Sequence, residues 1–134
     1  MHCEMPMTVI DQPQGTLTLQ TLSMPSDTNP LGDIFGGWLL SQMDIAGAIL
    51  ALEVAQGRVT TVAISGMKFL HPVPVGSLIS CYSNLRSIGR TSIRIGIEVW
   101  IKDFKTHHRL KVTEGEFVYV AIDDEGKKRP VNEI

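Results

Sequence analysis

Between Trp38 and Leu52 only Ser41, Gln42 and Asp44 are polar. At roughly 3.6 residues per turn this is about four turns of helix, apolar nearly all the way round. In a soluble chain a helix of that kind must be covered on most of its sides. Asp44 is then placed where a carboxylate is costly to ionise unless something holds it. The rest of the chain has to wrap this helix and account for that carboxylate.

The wrapping material reads as strands. Gly15 to Met24 alternates Thr16, Thr18 and Gln20 against Leu17 and Leu19, a half-buried strand. Pro25 to Pro30 is a turn cluster, and Gln56-Gly57 is the expected helix end because glycine stops helices readily. Val59 to Leu70 is β-rich and closes at Pro72 and Pro74, which cannot donate to a ladder. Ser77 to Ser87 forms a further strand, turning at Ile88-Gly89-Arg90. In Thr91 to Phe104, Ile93, Ile95, Ile97, Val99 and Ile101 face one way, while Ser92, Arg94, Glu98 and Lys102 face the other. A basic turn, Lys105 to Arg109, leads into a last strand from Leu110 to Asp123. This order places the chain in the α+β class: a long central helix wrapped by a five-stranded or slightly larger antiparallel sheet. Such a unit leaves sheet edges and one side of the helix unsealed, so subunits are expected to associate.

A length of 134 residues fits one domain, residues 1–134, with a single core. Residues 1–14 read as a loose N-terminal arm and 124–134 as a solvated C-terminal tail. Twelve basic and 14 acidic residues give a net charge of −2, which argues against nucleic-acid binding. Cys3 and Cys81 lack metal-site spacing and read as free thiols in a reducing compartment. Glu4, Pro6 and Asp11 interrupt any leader-like run, and the longest apolar stretch reads as too short and broken to cross a bilayer. The expectation is a cytoplasmic protein without a membrane partner.

For Asp44 two readings stand: a helix-face aspartate that reaches solvent, or a nucleophile or general base. Gly36-Gly37 either allows tight packing at the helix start or bares N–H groups at the positive end of the helix dipole. Aimed at a carbonyl turning into an oxyanion, those groups form an oxyanion hole. Asn29 either caps its own turn or hydrogen-bonds a carboxylate or water in a neighbouring site. Spacing limits the catalytic versions. Gly36 and Asp44 are eight residues apart, about 12 Å along one helix, so both cannot lie about 3 Å from one reacting group. Two copies about a two-fold axis can: a catalytic motif here requires at least a dimer with shared sites.

Other candidates have weaker patterns. His71 reads as a strand-end residue, and His107-His108 as a solvated turn without metal-ligand partners. Glu98, Glu114 and Glu116 alternate like polar strand faces. Gly-x-Ser-x-Gly and Gly-x-x-x-x-Gly-Lys patterns are absent from the sequence. Lys68, Arg86, Arg90 and the Lys127-Lys128-Arg129 run carry positive charge that either faces solvent or holds phosphates.

Asn29-Pro30-Leu31-Gly32-Asp33-Ile34-Phe35-Gly36-Gly37-Trp38 and the later Asp44 resemble the hot-dog-fold acyl-CoA thioesterases, the bacterial YciA type in particular. The likeness continues through Gly57-Arg58-Val59, Gly66 to Leu70, Pro72 to Gly76, Ile97 to Trp100, Phe117 to Ala121 and Gly126 to Pro130. It implies a hot-dog fold, dimers with shared sites, and trimers of such dimers, that is, a hexamer. On the matching positions it implies Asp44 as the catalytic acid, Gly36 (with Gly37 second) as the oxyanion donor and Asn29 as a polar helper. Many members have His where this chain has Phe35, which leaves only the backbone N–H to polarise a carbonyl there. Ser65, Gly66 and Lys68, with Arg90, Thr91 and Ser92, are the positions expected to contact CoA.

The expected activity is hydrolysis of acyl-CoA thioesters in fatty-acid metabolism, with no metal and no cofactor beyond the CoA of the substrate. Two alternatives are an enoyl-thioester hydratase or dehydratase, which would need a catalytic histidine, and a non-catalytic acyl-CoA-binding module.

Overall fold

The computed structural model describes residues 12–132. The N-terminal arm, with Cys3, therefore lies almost wholly outside the described residues, as do residues 133 and 134. The elements run β1 (Thr16–Leu22), a 3-10 turn (Pro25–Asp27), α1 (Gly36–Ala55), β2 (Val59–Phe69), β3 (Leu78–Ile88), β4 (Ser92–Lys102) and β5 (Arg109–Ala121). The strands form one antiparallel sheet in the order β1-β3-β4-β5-β2. It curves around α1 as the sequence requires. The inward side of β4, Ile93, Ile95, Ile97 and Val99, is buried beneath the helix. Each such aliphatic side chain contributes roughly 1.5–3 kcal/mol through burial.

The helix is an unbroken 20 residues, and its most apolar 18-residue window has mean hydropathy 1.4. By length and composition alone it could cross a membrane, so the expectation of a run too short and interrupted for that is corrected. Here α1 is the core helix of the sheet. Leu39, Met43, Ala46, Gly47, Ala51 and Ala55 recur at steps of three and four and are buried against the strands. The small residues among them let the helix backbone come close. Its opposite side is apolar and uncovered in the single chain. Ile45, Ile49 and Leu52, with Val62 and Ile64 of edge strand β2, are between 40% and 52% exposed. The helix is thus apolar all round but buried on one side only.

The helix begins at Gly36 and stops before Gln56-Gly57, as expected, but the stop works differently. At the C-terminus Gln56, not Gly57, adopts the left-handed conformation (φ 52, ψ 45). A Cβ on Gly57 would lie 2.6 Å from Nη2 of Arg129, so this glycine supplies space rather than a positive φ. The guanidinium of Arg129 fills that space and donates to the Ala55 carbonyl at 2.8 Å, where the negative end of the helix dipole lies. The segment expected to be a solvated tail is therefore ordered through residue 132. Asp123 accepts from the N–H groups of Glu125 and Lys127 to form a turn, and Val131 is buried in the core.

Candidate active site

The loop before α1 is built on Asn29. Its Oδ1 accepts from the N–H of Leu31 (2.9 Å) and Asp33 (3.1 Å), and its own N–H donates to the Asp33 carbonyl at 2.7 Å. The turn-capping reading of Asn29 is thus realised within the chain. The loop is then pinned to the body by the N–H of Ile34 on the Val73 carbonyl and that of Phe35 on the Asp27 carbonyl, each at 3.0 Å.

Those contacts set where α1 begins. Phe35 is the N-cap residue and offers no side-chain cap, and the first turn holds no acidic residue. The N–H groups of Trp38 and Leu39 turn back to the Phe35 carbonyl, whereas those of Gly36 and Gly37 have no partner among the described residues. Crowding does not explain the glycines. A Cβ on Gly36 would make ordinary contact with the Phe69 ring at 3.4 Å, and one on Gly37 would meet nothing within 4 Å. Neither has a positive φ. The tight-packing reading of the pair therefore fails within the protomer, and what remains is a helix N-terminus with two bare donors.

Asp44 lies two turns further along α1, half-buried. Thr61 on β2 donates its hydroxyl to Oδ1 at 2.6 Å. Tyr119 on β5 donates toward the Asp44 carbonyl oxygen at 2.8 Å and toward Oδ1 at 3.2 Å. Both supports are neutral hydroxyls on one carboxylate oxygen; Oδ2 has no partner among the described residues. Asp44 is thus held at Oδ1 rather than simply projecting from the helix face. Burial first, and then the nearby Asp44 charge, push the Tyr119 phenol far above the ordinary tyrosine range. It stays protonated and remains a donor.

Thr61 and Tyr119 were not singled out by the sequence reading, being 17 and 75 residues from Asp44. One signal was available: Gly47, inside an otherwise good helix and one turn past Asp44, marks a place where something large comes close.

The positions expected to contact CoA do not form one cluster in the protomer. Ser65 pairs with Glu116 and Lys68 with Glu114, on the outer face of the sheet away from α1. Gly66, at φ +61, sits in the β2 bulge between them. Lys68 there is already 3.9 Å from Glu114, which Lys111 links to Glu98, while Arg86 and Arg94 pair with Glu116 beside them. Arg90, Thr91 and Ser92 lie at the β3–β4 turn, where Arg90 and Thr91 accept from Val131 and Ala121 through their carbonyls. Ser92 pairs with Val120, four positions along β5 from Glu116, roughly 14 Å away.

His71 is exposed just beyond β2, and His107 (φ 63) lies in the turn between β4 and β5. No group of three potential metal ligands occurs among the described residues.

Comparison with known proteins places this geometry in context. The Thioesterase superfamily profile matches residues 31–107. The acyl-CoA thioester hydrolase YciA of Salmonella typhimurium is 57% identical over 129 residues, covering 93% of this chain and 97% of that protein. Among solved structures, the hexameric thioesterase y2039 from Yersinia pestis aligns with a TM-score of 0.87 at 54% identity, over 92% of this chain and 100% of that one. HI0827, a hexameric broad-specificity acyl-coenzyme A thioesterase solved as an aspartate-to-alanine mutant, aligns with a TM-score of 0.87 at 48% identity, over 90% of this chain and 88% of that one.

Proposed function

The chain belongs to the thioesterase superfamily and has its hot-dog fold, and on that premise we propose that it hydrolyses acyl-CoA thioesters to free acid and CoA. The observation that carries this reading is Asp44. A half-buried carboxylate is held by two neutral hydroxyls, has one oxygen uncommitted, and shares a helix with two bare N–H groups. The names of its relatives support the same substrate class.

In the proposed reaction the N–H of Gly36, with Gly37 beside it, binds the thioester oxygen and stabilises the charge that grows there. Asp44 either attacks the carbonyl carbon, giving an anhydride that water then cleaves, or takes a proton from a water that attacks directly. Either way the C–S bond breaks and CoA leaves as its thiol; the oxygen of water goes to the product acid in the direct route, and to Asp44 when water cleaves the anhydride at the aspartyl carbonyl. A single turnover in heavy-oxygen water separates the two routes by whether label enters Asp44.

Because Gly36 and Asp44 are about 12 Å apart on α1, each site takes its N–H donors from one protomer and its carboxylate from the other. The uncovered apolar side of α1 and the β2 edge are the surface such a dimer would use. Assembly of dimers into a hexamer follows the relatives named hexameric. Asn29 serves the site by fixing the loop that aims Gly36.

The test is Asp44→Ala assayed on acyl-CoAs from short to long chain. Turnover should drop by about a thousandfold or more on all of them, with the oligomer intact by light scattering. Near-normal turnover on several acyl-CoAs would remove Asp44 from the mechanism. A hydratase would need a histidine paired with an acid, and His71 has no carboxylate partner among the described residues.

A further inference from the structure

Gly47 weakens α1, since glycine is a poorer helix residue than alanine, and its φ does not require glycine. The reason for it is Tyr119. A Cβ on Gly47 would collide with the Tyr119 hydroxyl and lie 2.6 Å from Cδ1 of Ile97. The tyrosine ring is itself fixed, fully buried and stacked on Phe117 with centroids 6.3 Å apart and planes at 17°. Gly47 thus admits a rigid phenol to the backbone of the helix, three residues past Asp44.

There the hydroxyl reaches two oxygens of one residue, the Asp44 carbonyl at 2.8 Å and Oδ1 at 3.2 Å. It has one proton, so the bond is shared, weighted toward the nearer acceptor. Tying a residue's backbone oxygen to its own carboxylate fixes the torsions between them; the side chain can rotate only by leaving the phenol. Thr61 donates to the same Oδ1, so Oδ2 is the oxygen left over. We infer that Tyr119, admitted by Gly47, is a positioning residue that locks the Asp44 side chain with Oδ2 presented to the reacting carbonyl or water. The inference rests on the proposed role of Asp44.

Among the described residues Tyr119 is the one titratable side chain bonded to Asp44. Thr61 on β2 is neutral, Glu53 of the helix is exposed, and Lys68, Arg86, Arg94, Glu98, Lys111, Glu114 and Glu116 of β2 to β5 pair with one another on the outer face.

Tyr119→Phe removes only the hydroxyl, and Gly47→Ala keeps the hydroxyl but pushes it off the helix. Both are compared with Asp44→Ala, with melting and light scattering on each. In Tyr119→Phe kcat should fall roughly 10- to 100-fold, the worth of one hydrogen bond to a charged group, with KM changed less than about threefold. Gly47→Ala should reproduce this split between kcat and KM. Folded variants with wild-type kcat, beside an inactive Asp44→Ala, would overturn the inference. An active Asp44→Ala would instead bring down the role of Asp44 on which it rests.

Discussion

Asp44 stood out in the sequence because a carboxylate interrupts an apolar helix, and the structure resolves the conflict with two hydroxyl donors rather than a cation. Its position was legible because local periodicity displays it. Its supports were not, because Thr61 and Tyr119 reach it only through the register of β2 on β5, where Thr61 pairs with Tyr119. The sequence leaves two uses open for Asn29, and the chain itself uses its side chain to shape the loop. Cys81 provides a test of the core at the same scale. Burial pushes its thiol up to about 12 from an ordinary 9.0. The native state therefore keeps a proton that the unfolded chain loses. The contribution is fully present below pH 9 and declines as pH rises toward 12, at about 1.4 kcal/mol per pH unit. Urea titrations at pH 8, 9, 10 and 11 should show that decline, and Cys81→Ala should decline less steeply. Equal slopes would mean that the thiol titrates normally in the folded protein.

At the scale of elements, the strands fell within a few residues of their expected bounds. Alternation in β4 and the prolines after β2 are local signals, and the fold obeys both. The ends of α1 fell where Gly36 and Gln56-Gly57 were expected to place them, though the C-terminal stop is not made by the glycine. The helix runs 20 residues because Phe35 and Gln56 bound it by conformations that their residue types do not advertise. The C-terminal segment looked solvated because its charges suit water, yet Arg129 turns inward to the helix end. Its guanidinium also donates to the carbonyls of Ile122 and Pro130. Arg129→Ala should lower stability by about 1–3 kcal/mol, seen as a fall in Tm of roughly 3–10 °C, while kcat of the folded enzyme stays within about twofold. An unchanged Tm would show that the tail does not brace α1.

At the scale of the molecule, one chain is an incomplete object. Its helix is apolar on two sides and its sheet covers one, which leaves Ile45, Ile49 and Leu52 beside the β2 edge. The need for association was readable from the element count alone. That Ser65, Gly66 and Lys68 lie apart from the group at Arg90 was not, because their separation depends on how β2 and β4 register on β5. The central claim is that Gly36 of one protomer and Asp44 of another make one site. Mixing two inactive variants tests it most directly. Asp44→Ala removes the carboxylate. Gly36→Pro removes only the N–H, since proline is favoured at the first helical position and Phe35 (φ −59, ψ 135) suits the residue before it. After the two are unfolded together in equal amounts and refolded, half of the dimers are mixed and each mixed dimer holds one intact site. Activity should return to about a quarter of the wild-type value per site. No recovery, in a sample where mass spectrometry confirms mixed dimers, would contradict a site shared between protomers.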